Sequence, residues 1–337
     1  MRTAQEATGI PPTVISRGKA AGTYQAFPDV CRARNGDLVA VFYAGYGHVS
    51  LPSAEWKNGG RLCLVRSRDE GKIWGEPQVV FDGPNDDRDP HVALLPDGRL
   101  ACTFFTLRPA PGSPRRFEGD GGVRVTYSCD DGQTWGPAHT LALGWYVSAP
   151  IRALPDGTLL LGVYHMRGAD QWGGVLRSTD GGRTWSEPVP IGKGQKLPLD
   201  AETDVIALKD GTVLAALRSS KVNLHFATSR DRGRTWSKAH DGGFPGHAPH
   251  LYRLSTGPIL LTHRLPDTSL HVSRDEGKTW QGPYLLDAVR GAYPSCVELR
   301  DGTVLAVYYE EGAGSAVRAR RFRLDAAGIT FLPLSDR

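Results

Sequence analysis

A six-bladed, all-β propeller with four-stranded blades is the fold class that this 337-residue sequence predicts. Three observations lead there. A box of the form Ser-x-Asp-x-Gly-x-x-Trp occurs five times, and a Gly-bearing hairpin turn occurs six times in alternation with it. The third is composition: 41 glycines and 24 prolines supply many turns, and no stretch of useful length carries the apolar period of a helix.

The boxes are Ser67-Asp69-Gly71-Trp74, Ser128-Asp130-Gly132-Trp135, Ser178-Asp180-Gly182-Trp185, Ser229-Asp231-Gly233-Trp236 and Ser273-Asp275-Gly277-Trp280. In each, the Asp is expected to accept hydrogen bonds from its own turn, the Gly to supply a positive φ, and the Trp to bury its ring under the hairpin. These are structural jobs, so the box aspartates are neither catalytic nor calcium ligands. The Gly turns are Asn35-Gly36, Asp97-Gly98, Asp156-Gly157, Asp210-Gly211, Thr256-Gly257 and Asp301-Gly302, flanked by apolar runs such as Thr158 to Tyr164 and Thr303 to Tyr309. Successive turn glycines lie 45 to 62 residues apart, a blade's length. The sixth unit lacks a box because Ala316 to Leu324 ends its pattern, and a segment near Pro12 to Ser16 is expected to cover the bare edge. A single domain over 1–337 follows; a β-sandwich array or a β-helix accounts less well for one Trp-locked turn per unit.

Forty Lys and Arg against 36 Asp and Glu give a formal charge of +4, too weak and too dispersed for nucleic acid but compatible with an anionic small substrate. Five scattered cysteines with no CxxC pair read as free thiols rather than disulfides or a zinc site. No cofactor and no metal are implied. Without a signal-like leader or 18 consecutive apolar residues, the expectation is a soluble, cytoplasmic protein with no membrane partner, or a secreted one if a leader has been removed.

If the Gly turns join the first two strands of each blade and the boxes join the last two, both lie on one face. Function then belongs on the other, at first-strand starts and second-strand ends. Those positions form a polar ring. Blade one offers Gln25, Asp29, Tyr43, Tyr46 and His48; blade two Arg88, Asp89, His91 and Arg108; blade three Tyr146, His165 and Arg167. Blade four offers Glu202, Asp204 and Arg218; blade five His247, His250, His263 and Arg264; blade six Tyr293, Tyr309 and Glu310. Charges gathered on inner strands are costly unless paired or used.

With these residues in view, the chain resembles the sialidase (neuraminidase) superfamily, whose Asp boxes match the five above. The segment Glu202 to Arg218 is similar to the one in which a catalytic Glu opens one strand and a carboxylate-binding Arg closes the next. The stretch Ala292-Tyr293-Pro294-Ser295, followed by Tyr309-Glu310, is similar to the one bearing the nucleophilic Tyr and a downstream Glu that steadies an arginine. Arg264 matches the place of another arginine of the family's triad. The resemblance implies an exo-acting glycoside hydrolase on a terminal acidic sugar, sialic acid or a relative, with Tyr293 and Glu202 as the nucleophile pair. A carboxylate beside the anomeric carbon would repel a carboxylate nucleophile, and a Tyr hydroxyl activated by a Glu avoids that repulsion. Arg218 and Arg264 would clamp the anion.

Two positions depart from the family pattern. Its first triad arginine lies two residues before a proline on the first inner strand, where Tyr24-Gln25-Ala26-Phe27-Pro28-Asp29 offers Ala26; Arg88 from the next blade is a candidate replacement. Its acid/base Asp lies in the loop after the second strand of blade one, and Gly45 to Gly60 contains His48 and Glu55 but no Asp. His48, Asp29, Asp89 and His91 are the candidates for that proton. His250 and Glu310 complete the candidate binding residues, and Trp56, Trp145 and Trp172 could stack on sugar rings. Alternatives from other classes remain: a propeller glycosidase on a neutral or uronic sugar using Glu202 with Asp29 or Asp89, a lyase using His and Tyr, and a non-catalytic carbohydrate-binding propeller.

Overall fold

Every Gly turn closes the hairpin between the first and second strands of a blade. Asn35 accepts the Asp37 N–H at 2.9 Å and Asp210 accepts the Thr212 N–H at 2.9 Å, while the glycine that follows is left-handed, φ 94° at Gly36 and 83° at Gly211. The structure, a computed structural model, describes residues 9–118, 122–165, 171–312 and 314–335. It is all-β, a ring of six antiparallel sheets.

Blade one comprises Tyr24–Arg32, Leu38–Gly45, Arg61–Ser67 and Gln78–Phe81. Blade two comprises Asp86–Leu94, Leu100–Ala110, Val123–Ser128 and His139–Ala142, with Ser113–Glu118 folded back on its long second strand. Blade three is Arg152–Ala153, Leu159–His165, Trp172–Ser178 and Val189–Ile191; blade four is Thr203–Ala207, Val213–Leu217, His225–Ser229 and His240–Asp241. Blade five is His247–Arg253, Ile259–Arg264, Thr268–Ser273 and Gln281–Asp287.

Blade six uses Gly291–Glu298, Val304–Glu310 and the nine-residue Ala316–Leu324. Its outer edge is shared: Thr13–Arg17 pairs with Ala316 to Ala319, and Ile329–Leu332 pairs with Arg321 to Leu324. The N-terminal closing strand thus lies where the sequence predicts it. The C-terminal strand beside it is an addition, required because five N-terminal residues cover only half of a nine-residue edge.

The apolar core is divided into seven clusters, one at each of the six junctions between neighbouring blades and a small aromatic one around Ala26. Every box Trp packs into the junction with the blade before its own: Trp74 into the cluster shared by blades six and one, Trp185 into the cluster shared by blades two and three. The ring therefore fastens one blade to the next as well as locking its own hairpin. The junction between blades five and six has no box Trp, and Phe331 of the C-terminal strand packs there with Phe322 and Tyr284. Within a box, Ser178 Oγ donates to Asp180 Oδ1 at 2.8 Å and accepts the Gly182 N–H at 2.9 Å, and Thr184 Oγ1 donates to Asp180 Oδ2 at 2.6 Å. The residue before the box glycine is also left-handed, φ 62° at Glu70 and Arg232, so each box holds two consecutive residues at positive φ and any strain falls on the first, which in the third box is relieved by Gly181.

The inner strands carry a second repeat that sets up the site. Phe27-Pro28, Asp89-Pro90, Ala248-Pro249 and Tyr293-Pro294 each form a bulge, with the ladder shifting between Ala26 and Asp29, Arg88 and His91, His247 and His250, and Ala292 and Ser295. A proline has no N–H for the ladder, so the strand must bulge around it. The residue before it is held at positive φ: 52° at Phe27 and Asp89, 50° at Ala248, 44° at Tyr293.

Ser178→Ala leaves the buried Gly182 N–H without its acceptor and is expected to lower stability by about 1–3 kcal/mol in urea unfolding. Trp185→Ala, which opens a junction between blades, should cost about 3 kcal/mol or more.

Candidate active site

Tyr293 stands half-buried on the bulge of blade six. Its Oη donates to Glu202 Oε1, reaching in from the start of blade four, at 2.6 Å. Arg218, just past the second strand of blade four, donates Nη1 to the same oxygen at 2.6 Å and lies 3.5 Å from Tyr293 Oη. Glu202 Oε2 accepts the Ala248 N–H from the bulge of blade five at 3.1 Å, and Asp200 holds Arg218 Nε at 3.2 Å. Three blades therefore fix one carboxylate. Burial and the facing carboxylate raise Tyr293 well above the ordinary phenol value, and Arg218 offsets part of that. The hydroxyl keeps its proton, with that proton aimed at Glu202.

Arg264, closing the second strand of blade five, donates Nη2 to His247 Nδ1 at 3.1 Å and Nη1 to the Gly291 carbonyl at 3.4 Å. Burial, with Arg218 and Arg264 beside it, pushes His247 down to about 4, so the imidazole is a neutral acceptor at neutral pH. Among the described residues no carboxylate lies within ion-pair distance of Arg264, which leaves its charge for a ligand.

Asp89 occupies in blade two the bulge position that Tyr293 occupies in blade six. Only 3% exposed, it lies 3.3 Å from Arg88 Nε and accepts Ser148 Oγ at 3.3 Å. Burial pushes its carboxyl upward; Arg88 pulls it back and Glu202 pushes it up again, with a raised value the result. Arg88 lies two residues before a proline, in blade two the register position that Ala26 holds in blade one. Its guanidinium is packed over Phe27 at 5.1 Å and Tyr43 at 5.5 Å, and Asp89 and Asp86, the latter at 3.7 Å, answer its charge.

Around Ala26 the structure is aromatic. Phe27 sits edge-on to Tyr293 at 5.0 Å, to Tyr309 at 5.3 Å and to His48 at 5.3 Å, with Tyr24 and Tyr43 behind. His48 is exposed, its Nδ1 3.0 Å from Tyr24 Oη. Glu311, rather than the expected Glu310, joins this group: it accepts Tyr24 Oη at 2.8 Å and Tyr309 Oη at 2.9 Å and lies 3.8 Å from His48. Contact with His48, then Tyr24 and Tyr309, outweighs partial burial and holds its carboxyl at about 2. Glu310 pairs instead with Arg318 and, at 3.5 Å, Arg17 on the outer strands, because alternation along a strand sends adjacent residues to opposite sides. It steadies no arginine of the site.

Asp29, His91 and His250 are also set apart from Tyr293. Each follows a bulge proline, and the bulge turns it away, into a separate layer on the axis. Asp29 accepts Val92 N–H at 2.9 Å and Val30 N–H at 2.8 Å, with His91 Nδ1 at 3.3 Å and His250 Nε2 at 3.5 Å. Asp204 is bound by Arg152 through both its oxygens, at 3.0 and 2.5 Å. His263 is stacked with His271 and tilted against Phe244, Gln25 bonds the Gly18 and Gly22 carbonyls, and Arg108 is exposed on the blade-two extension. Arg167 falls outside the described residues.

On the rim of blade three His165 stacks on Trp172 at 4.4 Å with Trp145 edge-on at 5.5 Å, while Trp56 of blade one meets Tyr46. Sequence reasoning passed over Phe27 and Glu311. The recurring inner-strand prolines were the available signal for Phe27; adjacent acidic residues gave none for Glu311. Among the described residues no group of three or more His, Cys, Asp and Glu side chains could hold a metal ion.

Residues 57–306 match the family model described as a BNR repeat-like domain. The chain belongs to that family. Over 221 residues, 60% of its length, this BNR-repeat protein is 24% identical to a sialidase of Bacteroides fragilis (strain YCH46), and it spans 39% of that relative's length. Its fold is similar to that of a Dyadobacter fermentans protein of unknown function, TM-score 0.77 and 22% identity over 95% of this chain and 98% of the other. It is also similar to the NanB sialidase of Streptococcus pneumoniae, TM-score 0.70 and 15% identity over 96% and 73%. The BNR-repeat chain is thus a six-bladed propeller of the sialidase superfamily.

Burial alone would raise Asp29, but contacts to His91 and His250 and the Val92 N–H hold it at about 2. A depressed carboxyl stabilises above its unfolded-state value and loses that contribution as pH falls through the folded one. The urea midpoint should therefore fall between about pH 4 and pH 2, and less steeply in Asp29→Asn, whose unfolding free energy at pH 7 is itself lower by about 1–3 kcal/mol because the Val30 and Val92 N–H groups lose a charged acceptor.

Proposed function

We propose that this protein is a retaining, exo-acting glycosidase that removes a terminal acidic sugar, with Tyr293 as nucleophile and Glu202 as its base. The observation that carries this reading is the 2.6 Å bond from Tyr293 Oη to a carboxylate that Arg218 and a backbone N–H hold in place. The distant likeness to a sialidase supports it.

In the first step Tyr293 Oη attacks the anomeric carbon and passes its proton to Glu202. The glycosidic bond breaks, and its oxygen leaves with a proton from Asp89. In the second step water attacks the same carbon, Asp89 takes the water's proton, and Tyr293 departs with the proton held by Glu202. Two displacements retain the anomeric configuration. Among the candidate acids Asp89 is favoured because its raised carboxyl is electrostatically coupled to both Glu202 and Tyr293. His48 sits on the exposed rim bound to Tyr24, and Asp29 faces the other way. Arg264 is the free cation for the sugar's carboxylate, aided by Arg218.

One observation favours a second reading. The place of the first triad arginine is aromatic, and Arg88 and Arg218 are both answered by carboxylates. A site so neutralised suits a sugar whose charge is elsewhere or absent, cleaved with Glu202 and Asp89 as the working carboxylates.

Hydrolysis of a panel of aryl glycosides separates the two. Tyr293→Phe and Glu202→Gln should each lower kcat on a nonulosonic glycoside by about 10²-fold or more; retention of activity on neutral members alone would decide for the second reading. Arg264→Ala should raise KM for acidic members about tenfold, roughly 1.4 kcal/mol, and leave neutral ones unchanged. Asp89→Asn should cost about 10²-fold or more on alkyl glycosides, far less on activated aryl ones, and remove the alkaline limb of the kcat/KM profile.

A further inference from the structure

On the face that carries the turns, opposite Tyr293, the propeller axis opens as a funnel of about 710 Å3. That is the size of an ordinary small-molecule site, roughly 300–1,000 Å3. Asp29 and His250, 1% and 6% exposed, lie at its deep end; Val92, Ile151 and Val297 line its waist. Nothing in the chemistry proposed for Tyr293 uses it.

Three features define what fits. The deep end is polar and incompletely paired: beside the Asp29 carboxylate, among the described residues, His250 Nδ1 has no hydrogen-bond partner. Burial brings His250 down to about 4, so the ring is a neutral donor and acceptor at pH 7. The guanidiniums that line the funnel are answered by carboxylates, which removes any net pull on an anion. Arg32 is bidentate to Glu70 at 2.7 and 2.9 Å, Arg300 lies 3.2 Å from the same Glu70, and Arg152 is bidentate to Asp204; Glu298 accepts both the N–H and the hydroxyl of Ser255 at 2.7 Å. The waist is aliphatic and matches the C–H face of a pyranose ring. We propose that this funnel is a second binding site, for an uncharged saccharide, separate from the site at Tyr293 and independent of the reaction assigned to it.

The test is saturation-transfer NMR of the whole protein with neutral methyl glycosides and disaccharides, beside glucuronate and inorganic phosphate. A neutral sugar should bind, bind equally in Tyr293→Phe, and lose about tenfold or more in affinity in Ala153→Trp, where an exposed position on the funnel wall is filled. His250→Phe should weaken it as well; if that variant fails to fold, Ala153→Trp decides alone. The proposal is overturned if no neutral sugar binds, if glucuronate or phosphate binds in preference, if Ala153→Trp changes nothing, or if binding disappears in Tyr293→Phe.

Discussion

The site depends on one deficiency of proline. Four inner strands carry a proline where the ladder would require an N–H, and each strand bulges there. The residue before the proline is forced to positive φ and turned towards one face, and the residue after it is turned towards the axis below. Tyr293 and Asp89 owe their positions to the first effect, Asp29, His91 and His250 to the second. Holding a bulky Tyr or Phe at positive φ costs of order 1–3 kcal/mol, and such strain persists only where the surroundings over-determine it. Here the surroundings are a closed ring of blades.

Closure is what lets side chains from distant parts of the chain meet. Glu202 and Tyr293 are 91 residues apart. The bond between them exists because blades four, five and six are held in register by junctions that the box tryptophans and, at the last junction, Phe331 fill. The N-terminal strand on the edge of blade six completes the same ring. Stability and site geometry are therefore linked: a loosened junction changes the distance between a donor on one blade and an acceptor on another.

The two halves of the site differ in physical character. Blades two and four bring guanidiniums and carboxylates that neutralise one another, so the buried charges are tolerable and their protons are held in defined places. Blades six and one bring Tyr293, Phe27, Tyr43 and Tyr309, an aromatic wall around Ala26 against which the Arg88 guanidinium of blade two packs. In this setting Arg264, whose partners among the described residues are His247 and the Gly291 carbonyl, is the cation whose charge reaches outward.

The repeats alone determined the propeller, the number of blades and the face that carries the boxes, because turn chemistry is local: an Asp or Asn before a Gly, and a Ser two before an Asp, make their hydrogen bonds within a few residues. That Glu202 and Arg218 end neighbouring strands on one face was legible for the same reason, since a single hairpin joins them; their ion pair was not. What the tertiary structure decided is what depends on alternation through a bulge or on contact between blades. Glu311 rather than Glu310 faces the site, Asp29 and His250 drop into a lower layer, Trp185 packs on the preceding blade, and Asp89 comes under the influence of Glu202. None of these follows from spacing, because one extra residue in a strand reverses which side a chain of otherwise identical composition presents.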